Sequence, residues 1–371
     1  MSTTVRTGRQ AVSPLRAAAG LAAAMGVGRF AYTPLLPVMI AAGRLDARAG
    51  ATVAAANYAG YLIGAVLLAR RPDLNGRTAF RTAAAALVLS EALLAWPAPV
   101  AVAAGLRLIA GIASAVLFIG CASVAAGHEN RRRAAGIAFG GIGGGIALTG
   151  ILAMLAGTAV PWQVMWLGTA ALTALLLAPA LRLEVRPATR TAAAAARSVR
   201  SWRLLQGAYF LEGLGYIVIG TFLVAALQSP GHRSLGTAMW VVVGVAAAPA
   251  TLLWDLAARR WSPERALVIA LALQCVSAVL PAVSTDVVSA LISAALFGAT
   301  FTGITMLAIE VGSELTGPGA AATLTAGYGL GQVLGPLAVT PVLGDGYGTA
   351  FAIAAIILAV ATAGALAIRR T

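Results

Sequence analysis

The chain has 371 residues, of which 60% are hydrophobic and 10% are charged, and its mean hydropathy is +0.89. A water-soluble domain of this length does not tolerate such a composition, so the sequence predicts an all-α membrane protein that crosses the bilayer many times. The net charge of +14 comes from 26 arginines without a lysine, and these are scattered at the ends of apolar runs, so no nucleic-acid partner is expected.

Twelve apolar runs, bounded by charged or turn residues, predict 12 transmembrane helices, because a crossing helix needs about 20 residues. The first six runs lie at residues 17–41, 50–69, 78–96, 100–124, 134–156 and 161–181. The second six lie at residues 204–228, 235–258, 265–283, 286–309, 318–342 and 347–368. Cys121 and Cys275 stand singly inside such runs, a pattern that suggests neither a disulfide nor a metal site, and no cofactor is expected.

The first run carries an arginine near its middle, in the string GVGRFAYTPLLP from Gly26 to Pro37. Placing an arginine at the bilayer centre costs at least ~2.5 to 3.5 kcal/mol, so we expect Arg29 to face a wet cavity or a partner rather than lipid. Pro34 and Pro37 remove backbone donors and should loosen the helix. The alternative is that Arg29 snorkels to the interface, but about 12 residues separate it from the start of the run.

The arginines in alternate connections predict the orientation of the chain. With the N-terminus in the cytoplasm, 21 arginines fall in cytoplasmic segments, whereas Arg44, Arg48 and Arg233 fall on the other side. This bias follows the positive-inside rule. It predicts a multi-pass protein of the cytoplasmic (inner) membrane with both termini in the cytoplasm.

The longest connection, from Arg182 to Arg203, carries six arginines and separates two sets of six runs. We therefore predict an N-terminal six-helix bundle at residues 1–182, a basic cytoplasmic linker at 183–203 and a C-terminal six-helix bundle at 204–371. An offset of 187 residues aligns glycines of the two halves, among them Gly26 with Gly213, Gly111 with Gly298, and Gly144 with Gly331. One offset shared by three helix pairs predicts two pseudo-symmetric repeats that run parallel.

Two parallel sets of six runs joined by a basic loop resemble the major facilitator superfamily. The string GVGRFAYTPLLP resembles its YbfB-like branch, as do ANYAGYLIGA from Ala56 to Ala65 and GYGLGQVLGP from Gly327 to Pro336. The superfamily's cytoplasmic gate motif is incomplete between the second and third runs, where Leu68 stands in place of the acid. Between the eighth and ninth runs, the acidic and basic positions of the predicted cytoplasmic gate are Asp255, Arg259 and Arg260.

The resemblance implies a secondary active transporter that moves a small organic solute across the lipid bilayer by alternating access, as a monomer and without catalysis. Because the polar helix faces mix tyrosines with few charges, we expect a substrate with an apolar part. Protons are the expected coupling ion. Proton-coupled efflux is the first hypothesis and proton-coupled uptake the second. The alternatives are an integral-membrane enzyme acting on lipid-linked substrates and a membrane sensor, and the sequence has no recognisable reactive cluster or signalling domain for either.

The resemblance also implies that the first, fourth, seventh and tenth helices line a central cavity, which the second, fifth, eighth and eleventh flank. Polar side chains at helical spacing on these runs are the predicted substrate-binding residues, namely Arg29, Tyr32, Thr33, Asn57, Arg107, Tyr216, Tyr328 and Gln332. For each tyrosine or amide taken singly, the alternative is helix packing or an interface anchor.

Two acids inside apolar runs, Glu212 and Glu91, are the predicted proton-coupling residues. The 187-residue offset places Glu212 one turn from the equivalent of Arg29, so we expect Arg29 to be its alternating partner. Glu91 and Arg107 are equally distant from Pro99 in a helical hairpin. Two interpretations stand here: a salt bridge that stabilises the hairpin, or a proton-linked role for Glu91.

Overall fold

A computed structural model describes residues 14–129, 131–156, 160–186, 198–226, 233–316 and 320–368. The first half of this part of the chain contains α1 Pro14–Ala41, α2 Ala47–Arg70, α3 Arg77–Leu93, α4 Val100–Ala126, α5 Arg131–Ala156 and α6 Trp162–Ala180. The second half contains α7 Val199–Ala226, α8 Arg233–Arg260, α9 Pro263–Val283, α10 Val287–Thr316, α11 Ala320–Val339 and α12 Gly348–Leu366. The described residues include no β-strand, and the predicted fold of 12 helices in two six-helix bundles is confirmed.

Ten of these helices are long and apolar enough to cross a membrane. The two others are α3, which has 17 residues, and α11, which has 20 residues but carries Thr325, Tyr328 and Gln332. Both pack on longer neighbours, α3 on α4 and α11 on α7. A short or polar helix is tolerated there because other helices cover much of its surface.

The basic connections gather at one end of the molecule, since successive helices run up and down across it. Arg71 and Arg77 flank the turn between α2 and α3, Arg133 lies at the start of α5, and Arg259 and Arg260 end α8. We call this the arginine-rich end. The other end carries the connections from α1 to α2 and from α3 to α4.

The linker boundary differs from the prediction. The basic linker was expected to reach residue 203, but α7 begins at Val199, and residues 187–197 lie outside the described part. The hydroxyl of Ser198 accepts a hydrogen bond from the N–H of Ser201 at 3.3 Å, which caps the helix there. Trp202 packs against the hydrophobic core, so the apolar face of α7 extends into the predicted linker.

The first helix is irregular in its middle. Residues 14–21 are α-helical, Ala22–Val27 are π-helical, residues 28–31 form a turn, and the α-helix resumes at Tyr32. Such a broken helix is tolerated at membrane depth only where protein or a cavity surrounds it. All residues of the π-helical segment are buried, which fits this condition.

Proline chemistry explains the break in α1. Pro34 has no N–H, so the carbonyl of Phe30 cannot receive its ordinary helical bond. The N–H of Thr33 bonds this carbonyl instead, at 3.2 Å. In a regular helix that N–H would bond the carbonyl of Arg29. The carbonyl of Arg29 is therefore left for a partner outside α1.

The two bundles meet where α2 packs on α11, where α5 packs on α8, and where the second half of α1 packs on α7. In the last contact the hydroxyl of Thr33 donates to the carbonyl of Gly220 at 2.5 Å. The hydroxyls of Tyr58 and Thr221 lie 3.0 Å apart beside it. Thr33 and Gly220 are 187 residues apart, so equivalent positions of the two halves meet where the bundles join.

Equivalent glycines make equivalent contacts in the two bundles. A Cβ on Gly111 of α4 would lie 2.0 Å from the carbonyl oxygen of Asn57 on α2. A Cβ on Gly298 of α10 would lie 2.2 Å from the carbonyl oxygen of Val243 on α8. Only glycine permits such close backbone approach. These contacts hold α2 against α4 and α8 against α10.

We expect Gly111→Ala to destabilise the folded protein by about 1 to 3 kcal/mol, because the new methyl group would overlap a backbone carbonyl that cannot rotate away. Gly105 of the same helix has nothing within 4 Å of its Cβ position, so Gly105→Ala is the matched control. That change should leave stability equal or raise it by up to about 1 kcal/mol. Denaturant unfolding in detergent measures both variants, and equal stabilities would contradict the close contact.

Candidate functional site

A small cavity of about 60 Å³ lies between the bundles at the level of Arg29. From that level its wall extends toward Met25, Ile309 and Thr325, which lie nearer the arginine-rich end of their helices. The lining residues are Met25, Arg29, Phe30, Tyr61, Phe118, Phe139, Ile142, Tyr209, Tyr216, Phe301, Thr302, Thr305, Ile309, Thr325, Tyr328 and Gln332. Both bundles contribute to this wall, so a bound molecule would contact both.

Arg29 is the centre of the cavity wall and is 2% exposed. Its guanidinium carbon lies 4.5 Å from the ring centre of Tyr61 and 4.9 Å from that of Tyr58. Its Nη2 donates to Oε1 of Gln332 at 2.6 Å, and Nε2 of Gln332 donates to the hydroxyl of Tyr216. Within the described part of the chain, Nε of Arg29 has no hydrogen-bond partner. The positive charge is therefore held by neutral groups and aromatic faces.

Stacked rings form one side of the cavity. The rings of Tyr209 and Tyr328 stack 4.5 Å apart, and Tyr328 and Tyr216 are 5.3 Å apart. Tyr216 is in turn stacked on Phe301 at 6.2 Å, and the edge of Phe301 meets Phe30 at 5.8 Å. We call these five rings the aromatic wall. It presents flat apolar faces next to the single charge of Arg29.

Arg107 holds the broken first helix. Its Nη1 donates to the carbonyl of Gly28 at 2.7 Å, and its Nη2 donates to the carbonyl of Arg29 at 3.0 Å. The guanidinium also lies over the rings of Tyr32 and Trp166, at 5.3 and 5.9 Å from their centres. The side chain is fully buried. Arg107 thus bonds the carbonyl that the rearrangement at Pro34 leaves free.

Four of the eight predicted substrate-binding residues line the cavity, namely Arg29, Tyr216, Tyr328 and Gln332. The other four bond the backbone of neighbouring helices. Tyr32 donates to the carbonyl of Gly50 at 3.0 Å, and Nδ2 of Asn57 donates to the carbonyl of Arg107 at 2.9 Å. Thr33 and Arg107 make the backbone contacts described above. In this conformation these four join helices instead of facing the cavity.

Several cavity residues were not among the predicted ones. Tyr61 follows Asn57 by one helical turn, and Tyr209 precedes Glu212 by three residues, so helical spacing was a signal for both. Phe301 and Phe139 had no such signal, because an aromatic residue in an apolar run is the ordinary pattern of a packed helix.

Neither of the two buried acids forms an ion pair with an arginine of the described part, although Glu91 lies close enough to Arg107 to interact with it electrostatically. Glu212 and Glu91 are fully buried, and within the described residues neither carboxylate makes a well-formed hydrogen bond. Glu212 lies beside Gln274 of α9, and Glu91 lies beside Thr173 of α6. The hairpin salt bridge of Glu91 is not formed, because Arg107 donates to backbone carbonyls. Arg29 likewise bonds Gln332 and not Glu212.

The three predicted gate residues lie at the arginine-rich end of α8. Asp255 and Arg259 form an ion pair of 2.5 Å one turn apart on this helix, and Arg260 is exposed. Arg259 also lies close enough to Glu310 of α10 to interact with it electrostatically. Both interactions of Arg259 stay within the C-terminal bundle, so the role of these three residues as a gate stays a prediction.

Comparison with known proteins places this architecture in a family. The model of the family described as the uncharacterised MFS-type transporter YbfB matches residues 21–368. A search of curated protein sequences found no match. Similar solved structures include the crystal structure of a point mutant of the nucleoside transporter NupG, with a TM-score of 0.76 and 14% identity over 97% of this chain and 100% of that chain. The chain is therefore a multi-pass secondary transporter of the major facilitator superfamily and belongs to the family of the MFS-type transporter YbfB.

Proposed function

We propose that this transporter binds a small organic solute in the central cavity and exports it from the cytoplasm by proton-coupled alternating access. The observation that carries the proposal is the hydrogen bond from Arg29 of the N-terminal bundle to Gln332 of the C-terminal bundle, inside a cavity that both bundles line. A solute that takes either partner changes a contact between the bundles. Alternating access requires such a link between solute binding and the contacts that hold the two bundles together.

The contacts between the bundles support an orientation for this conformation. Thr33 with Gly220 and Tyr58 with Thr221 join the bundles on the side of Arg29 away from the arginine-rich end. The cavity extends from the level of Arg29 toward the arginine-rich end. If the arginine-rich end is cytoplasmic, as the positive-inside rule predicts, this conformation is closed to the outside and has its cavity on the cytoplasmic side.

A counterflow screen in proteoliposomes tests the transport proposal. Purified protein is reconstituted, loaded with one candidate solute, and assayed for entry of the same labelled solute, first without and then with a pH gradient. The panel contains neutral nucleosides, because one similar solved structure is that of a nucleoside transporter, together with aromatic acids and amines. We expect exchange without a gradient and accumulation with one. The direction of accumulation separates efflux from uptake, and exchange of no solute in the panel would contradict the proposed function.

We propose Glu212 as the proton-coupling carboxylate. It is fully buried, it lies one turn from Tyr216, and that tyrosine lines the cavity. Desolvation favours the protonated form of a carboxyl group, whereas water or a nearby arginine favours the ionised form. Rocking that exposes Glu212 to either would make its proton affinity depend on conformation, which links a proton gradient to solute movement.

Glu212→Gln is expected to retain solute exchange in counterflow but to abolish accumulation driven by a pH gradient, because glutamine keeps the shape and polarity of the side chain and cannot release a proton. The matched control is Glu184→Gln, since Glu184 is exposed and pairs locally with Arg186. Gradient-driven accumulation at the wild-type level in Glu212→Gln would remove Glu212 from coupling. Glu91, the second buried acid, would then be tested by the same assay with Glu91→Gln.

A further inference from the structure

We infer that the transported solute is a small organic anion whose carboxylate lies next to a flat aromatic group. This inference rests on the proposed function and names the substrate class of the same site. Three observations carry it: the charge of the cavity, the Nε–Nη2 edge of the Arg29 guanidinium, and the rings on both sides of it.

The cavity carries a positive charge without a counter-charge. Arg29 is the one charged side chain among the described lining residues, and the lining contains no acid. The Arg29 guanidinium would repel a cationic solute, and a neutral solute would not neutralise its positive charge. An anion gains most from this arrangement.

The edge of Arg29 that carries Nε and Nη2 matches a carboxylate. Elsewhere in this chain, Arg71 holds both oxygens of Asp73 through its Nε, at 3.0 Å, and its Nη2, at 2.8 Å. In Arg29 the same two donors are used differently: Nη2 bonds the neutral amide oxygen of Gln332, and Nε has no partner within the described part. A carboxylate would satisfy both donors at once, and charge-assisted bonds of this kind are stronger than a bond to an amide.

Gln332 therefore stands, in this conformation, where the substrate carboxylate would bind. Its amide oxygen holds Nη2 of Arg29, and its amide nitrogen is held by Tyr216. A carboxylate that displaces this oxygen would break the hydrogen bond from Arg29 to the C-terminal bundle. Substrate binding and this contact between the bundles are then mutually exclusive at Arg29, which links occupancy to rocking.

The rings determine the shape of the rest of the solute. Four rings of the aromatic wall belong to the C-terminal bundle, and Phe30 belongs to the N-terminal bundle. A second series of rings lies on the N-terminal bundle, with Tyr61 6.1 Å from Phe118 and Phe118 5.6 Å from Phe139. A flat apolar group can stack between such surfaces. The open space of about 60 Å³ holds only about two water molecules, so such a group must also move side chains apart when it enters.

Binding of benzoate and benzamide to the purified protein in detergent tests the inference, because the two molecules share their size and ring and differ in charge. Titration calorimetry at pH 7 should show benzoate binding at least about tenfold more tightly than benzamide, as expected for a charge-assisted pair of hydrogen bonds. Uridine serves as a second neutral ligand and should bind no better than benzamide. Benzamide or uridine binding as tightly as benzoate, or no binding of benzoate, would overturn the inference.

Two variants locate the interaction. Arg29→Gln should remove the preference for benzoate over benzamide, whereas Arg48→Gln, an exposed arginine at the other end of the molecule, should keep it. Gln332→Ala should tighten benzoate binding several-fold, because it removes the group that competes for Nη2. If the Gln332→Ala variant binds benzoate more weakly, Gln332 does not occupy the position of the substrate carboxylate. This result would count against the inference even if Arg29→Gln failed to fold.

The outcomes separate this inference from the proposed function. If a neutral solute exchanges in the counterflow screen and benzoate does not bind, the transporter proposal stands and the substrate class is wrong. If benzoate binds through Arg29 but neither it nor any other solute is exchanged, the site is an anion site and the transport proposal fails.

Discussion

Replacing Arg29 with alanine is expected to lower binding of the transported solute by roughly 10- to 150-fold, which corresponds to the loss of one charge-assisted hydrogen-bonding group. Exchange in proteoliposomes should fall at least as much, because the same side chain joins the two bundles through Gln332. The fold should remain, since the partners of Arg29 are an amide and aromatic rings, and no buried carboxylate loses its counter-ion.

Arg29→Lys distinguishes the geometry of the side chain from its charge. An ammonium group keeps the positive charge but cannot present two parallel N–H donors to one carboxylate. We therefore expect Arg29→Lys to exchange solute poorly while Arg48→Gln, the exposed control, exchanges it normally. Gel filtration in detergent must show folded protein for all three variants. Aggregated Arg29→Ala under conditions where the wild type is monodisperse would show that Arg29 serves the fold.

The position of Arg29 could be predicted because a charge in the middle of a long apolar run has few acceptable surroundings. The helical spacing of Tyr328 and Gln332 placed both on one face of α11, and that face does line the cavity. The aromatic wall could not be predicted in the same way. Phe301 belongs to it because its ring stacks on Tyr216 of another helix, and Phe30 because its ring meets Phe301 across the bundles. Sequence spacing within one helix carries no information on such contacts.

The direct ion pair between Glu91 and Arg107 is not formed, for a local reason. Equal distances from Pro99 suggested that Glu91 and Arg107 would meet, and an ion pair was the simplest way to bury both. The carbonyls of Gly28 and Arg29 were the competing acceptors, and they are available because α1 is broken near Pro34. A proline in the sequence indicates that a helix is loosened. It does not indicate which carbonyls lose their helical hydrogen bonds or which side chains bond those carbonyls instead. The π-helical segment of α1 was not predicted for the same reason.

Replacing Arg107 with leucine is expected to destabilise the folded protein by about 2 to 6 kcal/mol, because the buried carbonyls of Gly28 and Arg29 would each lose a partner at about 1 to 3 kcal/mol. Leucine keeps an apolar side chain of reasonable size beside Tyr32 and Trp166, so the loss reports chiefly the hydrogen bonds. Denaturant unfolding in detergent measures it. A loss below about 1 kcal/mol would show that these carbonyls find other partners.

A double-mutant cycle with Pro34→Ala tests whether Arg107 is needed because of the break in α1. Alanine at position 34 supplies an N–H for the carbonyl of Phe30, which frees the N–H of Thr33 to bond the carbonyl of Arg29 as in a regular helix. One of the two acceptors of Arg107 is then satisfied within α1. In the Pro34→Ala background, Arg107→Leu should therefore cost at least about 1 kcal/mol less than in the wild type. Strictly additive losses would mean that Pro34 and Arg107 act independently, and that the bonds of Arg107 to α1 are not a response to the missing N–H.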